Sequence, residues 1–396
     1  MSFADSNRVK IRYREETSWA SVVAASEYNE LPVTSESLKS NIETVTSETI
    51  RSDRNVADIV KVGGGAGGDV GFELKYGDWD ELFEGALQSD IVSTVVSTQA
   101  SAYFSGPGLH IADSSAAQNV VVDQFIRIAN ASATANDGDY RVTAVSAAAS
   151  GNILYLADAS SGVAAAFTSD IFAAATTMKG NRLRNGTTAK SYTVEKEFQD
   201  VSTTFSRYAG MRVSNMSLSV QSRSILSGSF SFSGKSQAAA SVTLASTTNS
   251  ISTNSVMNAS GNVGRIWEGG DSVSGVSFKS LTVDLNNNMR DQDVIGSDAL
   301  AGIGSGRCEV TGTLSAYFED NSLVNKFVNG TATSIRFQVD DEDGNSYVIT
   351  VPKVRITDLT VVATGPNNDV MADMSWGAMI DDSGLYAIQI DILSAA

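Results

Sequence analysis

The chain has 396 residues and a formal net charge of −17, from 45 acidic and 28 basic side chains. That balance disfavours a nucleic-acid grip, which needs a basic face. A single cysteine, Cys308, leaves no disulfide framework and no Cys metal cluster. The length admits two or three domains with a sizeable core. The opening residues, MSFADSNRVKIRYREE, carry no apolar signal core, and no run approaches the ~18 apolar residues of a membrane span; the expectation is a soluble chain made in a cytoplasm. The single histidine, His110 in SGPGLHIAD, sits beside turn residues and reads as a loop or strand-end residue rather than a catalytic base. No G-x-S-x-G or H-E-x-x-H motif occurs, and no carboxylate pair is singled out among the many acids. No catalytic residue, cofactor or metal ligand is expected.

Four prolines with many Gly and Ser turns indicate strands and hairpins. Within residues 1–98, the cluster Glu48, Arg51, Asp53, Arg54 and Asp58 admits two readings: a solvated edge whose ion pairs contribute little, or a subunit contact that sets register. Gly63, Gly65 and Gly68 then satisfy G-x-G-x-x-G. A dinucleotide loop leads into a helix, whereas here Val70, Phe72, Leu74 and Tyr76 alternate at period two, which marks another strand. The run Gly63, Gly64, Gly65, Ala66, Gly67, Gly68 is therefore expected at a flexible hairpin tip, mobile until something packs on it. After it, Asp78 is placed to cap a short helix carrying Trp79, Leu82, Phe83, Ala86 and Leu87 at i, i+3, i+4, i+7, i+8 spacing.

Residues 99–184 change character: rich in Ala and Ser and poor in Lys, with turns at Asn136-Asp137-Gly138 and Ser150-Gly151-Asn152. They read as a small β-domain inserted into a discontinuous core domain, 1–98 plus 185–396. From residue 185 longer alternating strands return. Met216, Leu218 and Val220 face a partner with Leu226, Gly228, Phe230 and Phe232; later Leu281, Val283 and Leu285 face Val310, Gly312, Leu314 and Ala316. Period two with Ser and Thr between is the pattern of half-buried antiparallel sheet. A second short helix is expected over Leu323, Val324, Phe327 and Val328 after Glu319-Asp320, closed by Asn329-Gly330. Strand, acidic residues, short helix thus occurs twice. The run Asp340–Asn345 reads as a hairpin turn: an EF-type frame would put Thr350 where a Glu ligand is needed. The fold class is mainly β, with one or two short helices.

Several stretches together resemble the tail tube proteins (major tail proteins) of tailed bacteriophages. They are T-S-E-S-L (34–38), S-E-T-I-R-S-D-R (47–54), G-D-V-G-F-E-L (68–74), W-D-E-L-F-E-G-A-L (79–87), N-G-T-T-A-K-S-Y-T-V-E-K-E-F (185–198), G-M-R-V (210–213) and G-R-C-E-V-T-G-T-L-S-A-Y-F (306–318). The resemblance covers the chain except about 99–184. It implies a β-sandwich or barrel-like core whose sheets join in rings of six around a channel, the rings stacking into a tube that conducts the genome. It also implies a virion location and assembly with itself, with a tail terminator and with tail-tip or tape-measure proteins. Double-stranded DNA would pass without specific binding, with no membrane involved. In that frame Glu48, Arg51, Asp53, Arg54 and Asp58 become candidate subunit contacts, and Gly63, Gly64, Gly65, Gly67 and Gly68 a candidate stacking loop. The N-terminal arm 1–30 becomes an element that orders on assembly. Six copies at −17 give a ring about −100 formal charges, which repel phosphates where they line the channel. An insertion at 99–184 would sit outside the tube, where a contractile sheath would collide with it, so a long non-contractile tail is expected. The reading from another class is a surface binding module that takes a glycan or receptor through 99–184.

Overall fold

The computed structural model describes residues 3–97, 102–111, 119–148, 151–171, 176–201, 204–259, 263–269, 277–363 and 365–395. The expected boundary at 98/99 lies outside the described residues, whereas 184/185 falls at the end of the Thr177–Arg184 strand. The architecture is mainly β, and among the described residues the sheets do not close into a barrel.

The two alternating strand pairs of the sequence lie side by side in one antiparallel sheet. Its order is Ile59–Glu73, Ser227–Gly234, Phe205–Gln221, Phe278–Asn286, Glu309–Tyr317, Met371–Ala378 and Ser346–Val362. The pairs meet where Met216, Leu218 and Val220 face Leu285, Val283 and Leu281. All six are buried, so period two in the sequence reports one continuous apolar face. Gly312 lies where Trp376 crosses: an added Cβ would stand 2.4 Å from the indole and 2.1 Å from the Thr282 carbonyl oxygen. A side chain there is excluded.

Two long strands leave this sheet and enter a second layer. Phe205–Gln221 pairs through Ser227–Gly234 and Phe278–Asn286 at one end, and at the other through Tyr192–Phe198 and Ser236–Ala240. Ser346–Val362 likewise meets Met371–Ala378 at one end and Thr333–Asp340 with Gln389–Leu393 at the other. The core lies between the layers. The Asp80–Leu87 helix fills it, and Trp79 and Phe83 pack with Phe72, Phe230 and Tyr347 at centroid distances of 4.6–6.0 Å. The Asp78 cap does not form: Trp79 occupies the N-cap without a side-chain bond. The Asp78 Oδ1 instead accepts the Ser252 N–H at 3.1 Å, because burial of the indole, whose Nε1–H donates to the Glu73 carbonyl at 3.1 Å, fixes the chain entry. The second helix is Ser322–Val328, preceded by an Asp320 carboxylate accepting the Ser322 N–H at 2.7 Å.

Residues 9–30 do not form a free arm. Val9–Glu15 pairs with Tyr192–Phe198 and Ser26–Glu30, and Ile11, Tyr13 and Tyr28 are buried. Glu16 locks the turn that follows. Its carboxylate accepts from the backbone N–H of Ala20 (2.7 Å) and Gly210 (2.9 Å), and from the hydroxyls of Ser191 (2.7 Å) and Thr193 (2.9 Å). Four donors offset the desolvation of a buried charge.

Residues 102–178 build a hydrophobic cluster of their own, around Phe104, Leu109, Ile126, Val142, Leu154 and Met178. It meets the rest of the chain at a seam where Phe125 and Ala159 pack on Val348 and Leu393. Arg127 binds Asp139 through two hydrogen bonds (2.6 and 2.9 Å) and donates to Ser346 Oγ at 2.9 Å. Beside this seam Asp391 is fully buried, its Oδ2 accepting from Gln389 Nε2 at 2.7 Å. Burial pushes its carboxyl up from 3.8 to about 7. The native state therefore holds a proton between about pH 4 and 7 that the unfolded chain has lost, and stability falls as pH rises through that window. Asp391→Asn is expected to raise stability at pH 8 by about 2–4 kcal/mol and to flatten the decline from pH 5 to 8. Urea unfolding at the two pH values measures this; an unchanged pH slope would remove Asp391 as its source.

Candidate assembly surfaces

The Lys39–Thr46 and Ile59–Glu73 strands form one long hairpin. The glycine run is not its tip. Gly63–Gly68 lies inside the Ile59–Glu73 strand, with Gly64 opposite Ile42 and Gly67 opposite Lys39. Its glycines answer to strand contact rather than to turn geometry. A Cβ on Gly67 would stand 2.7 Å from the Phe232 carbonyl oxygen. At Gly68, φ is +142° and a Cβ would stand 2.4 Å from the Ser37 carbonyl oxygen. The single 15-residue strand also joins what the sequence suggested were two.

Residues 66–73 of this strand are sandwiched between the Ser227–Gly234 strand and the Val33–Glu36 and Lys39–Thr46 strands. Residues 59–63 pair with Lys39–Thr46 alone and extend past the sheet as a two-stranded ribbon. Lys61 steadies it through Asp298 at 2.8 Å. Ile42, Val45, Ile59, Val60 and Val62 are all exposed on it, and such ribbons are marginal alone. Sequence reasoning missed these residues. Their signal was an apolar set recurring on both arms of a hairpin, which is interpretable only once the pairing is known.

The charged cluster occupies the true tip. Glu48, Arg51, Asp53, Arg54 and Asp58 are all exposed, and the tip closes by a Ser47 N–H to Asp58 carbonyl bond of 2.9 Å. Arg51 grips Asp53 with two bonds, 2.9 and 2.6 Å, which lowers the Asp53 carboxyl to about 2. Asp58 accepts its neighbour's N–H, from Ile59, at 2.7 Å, and Arg54 adopts φ +62° in the turn. The structure thus gathers the cluster and separates it from the glycines, which lie down the ribbon.

A second surface is the outer face of the main sheet. Opposite the buried rows stand Ser229, Ser217, Asp284 and Thr311 in one register row, and Asp69, Ser231, Asn215, Asn286 and Glu309 in the next. Three serines donate across strands to aspartates: Ser231 to Asp69 (2.6 Å), Ser217 to Asp284 (2.5 Å) and Ser315 to Asp373 (2.6 Å). Each hydroxyl has one proton, so these pairs present acceptor oxygens outward. The residues named include no Lys or Arg, and the first row runs on through Gly377 to the exposed Arg355 on the Ser346–Val362 strand.

Other sequence features fall into ordinary structural roles. His110 stacks on Tyr103 at 4.4 Å within a short hairpin. Asp341 closes the 340–345 turn by accepting from the Asn345 backbone and side chain, both at 2.7 Å. Among the described residues no group of three or more His, Cys, Asp or Glu could hold a metal ion, and no helix is long and apolar enough to cross a membrane.

A family model described as phage tail tube protein matches residues 6–378. The chain belongs to that family. It is a structural protein of the phage virion that assembles with copies of itself into the tail tube. No curated protein matches it. The family match spans the 99–184 region as well as its flanks.

Proposed function

We propose that this tail tube protein closes into rings of six that stack into a long non-contractile tube, the conduit for genome ejection. In this reading the Ser/Asp sheet face lines the channel. The observation that carries it is the set of three cross-strand Ser–Asp pairs. A wall that offers acceptors and negative charge holds no phosphate, whereas each Lys or Arg contact would add a salt-dependent grip. The ribbon and its charged tip, Glu48 to Asp58, make contacts between copies, with the glycines from Gly63 to Gly68 forming its narrow base. Exposed apolar side chains on both arms, with Val45 directly opposite Val60, support this, since exposed apolar surface marks an interaction site. Heterologous contacts that close give rings, and those that do not close give filaments. Residues 99–184 form an inserted domain on the outside of the wall, and the tube ends meet a tail terminator and tail-tip or tape-measure proteins. Electron microscopy of the purified protein tests the proposal. Rings or tubes with an open channel, and a cryo-EM map placing Ser217 and Asp284 at the lumen, are the expected result. Isolated particles, or a lumen lined by Lys and Arg, would overturn it.

A further inference from the structure

The sheet of residues 102–178 has one face that is partly occupied and partly open. Its inner face carries the apolar cluster. On its other face, Phe125 and Ala159 lie against Val348 and Leu393, and Arg127 reaches Ser346. From Ala159 the same face runs back along the Gly151–Asp158 strand to Tyr155 and Ile153, beyond the seam. There a register row crosses neighbouring strands: Ile153 opposite His110, His110 opposite Tyr103, Tyr103 opposite Ile171. In this row Ile171 is 69% exposed and Tyr103 46%; Tyr155, beside the row and opposite Gly108, is 37% exposed. A solvent-facing sheet surface is ordinarily polar, and this row holds no Asp, Glu, Lys or Arg although the chain is strongly acidic.

We infer that this row docks on a second copy of the chain, so that the 102–178 sheet bridges neighbouring subunits of the tube. This rests on the tube reading above. Three observations select the occupant. The row continues a face that already packs on this chain's own core, through Phe125 and Ala159. It holds no Asp, Glu, Lys or Arg, and suits an apolar protein surface. It is also small: at the usual strand spacing it spans ~14 Å, and its area falls far short of the ~800 Å² per partner of a stand-alone complex. A contact of that size adds to copies already held together rather than recruiting an independent protein. The Tyr103–His110 stack, with rings 5° from parallel, keeps two of its side chains in place before docking, which lowers the ordering cost.

The test replaces Tyr155 with the photo-cross-linker p-benzoylphenylalanine in the full chain and irradiates assembled tubes. A cross-linked dimer in tubes, absent from dissociated protein and mapped by mass spectrometry to this chain, is expected. Tubes of Tyr103→Asp/Tyr155→Asp should dissociate in urea at least tenfold faster than the parent, with unassembled protein melting unchanged. Tubes without a dimer band, equal dissociation rates, or capture of a glycan or another protein by this face would overturn the inference while leaving the tube reading intact. Absence of any multimer from the parent protein would overturn both.

Discussion

Val60→Asp/Val62→Asp will yield a folded protein that no longer polymerises at the concentrations where the parent forms tubes. Both side chains are about half exposed, at 48% and 49%, on a ribbon segment paired only with Lys39–Thr46. The core is untouched, so the melting of unassembled protein should move little, as for other surface changes. In a polymer each valine has an apolar surface to lose: burial contributes about 1.5–3 kcal/mol per side chain, and a carboxylate put there adds a desolvation cost. Losing about 3–6 kcal/mol per subunit raises the concentration needed for assembly roughly 10²- to 10⁴-fold. Sedimentation against concentration, with electron microscopy of the pellets, gives the answer. Tubes forming at the parent concentration would remove the ribbon from the assembly surface. Arg51→Ala is the contrasting case, because its partner Asp53 lies two residues away on the same exposed tip, and such pairs contribute little.

Ser219→Lys/Thr313→Lys tests the channel wall. Ser219 and Thr313 face outward on strands flanking Phe278–Asn286, and Thr313 is exposed. Tubes should still form, since neither side chain enters the core. In rings of six, two added lysines would present twelve cations per ring to passing DNA. Each phosphate contact contributes about −0.9 to the slope of log affinity against log salt, so retention by stacked rings should be strong at 50 mM salt and collapse by 200 mM. Parent tubes should show no such retention. DNA release from variant particles, followed by dye fluorescence over a salt series, reads the effect. Equal release at low salt would mean that this face does not line the channel.

Much of the fold was legible because apolar periodicity is local. Leu218, Val283 and Leu314 announced their strands through their neighbours alone, and the two helices followed from i, i+3, i+4 spacing. The glycine run escaped because period two is carried by side chains, and Gly63–Gly68 has almost none to alternate; only the carbonyls of Phe232 and Ser37, remote in sequence, reveal why glycine is required. Asp78 had the sequence of a cap, but burial of Trp79 outweighs one terminal hydrogen bond. The charged tip was visible as a cluster, while its position at the end of an apolar ribbon depends on a register that no local pattern encodes. The Ser–Asp pairs join strands 58 to 162 residues apart, a distance over which sequence periodicity carries no pairing information.

The strands Val92–Ser97 and Thr177–Arg184 run antiparallel with Ser97 directly opposite Thr177. The two chain ends flanking residues 98–176 are therefore neighbours, so joining 97 to 177 by a tight turn costs little closure entropy. This strand pair is in effect a socket. In the proposed tube, where 99–184 is an insertion on the outside of the wall, a sequence of different size held by this pair would recur at every repeat along the length, at the loss of the seam made by Phe125 and Ala159.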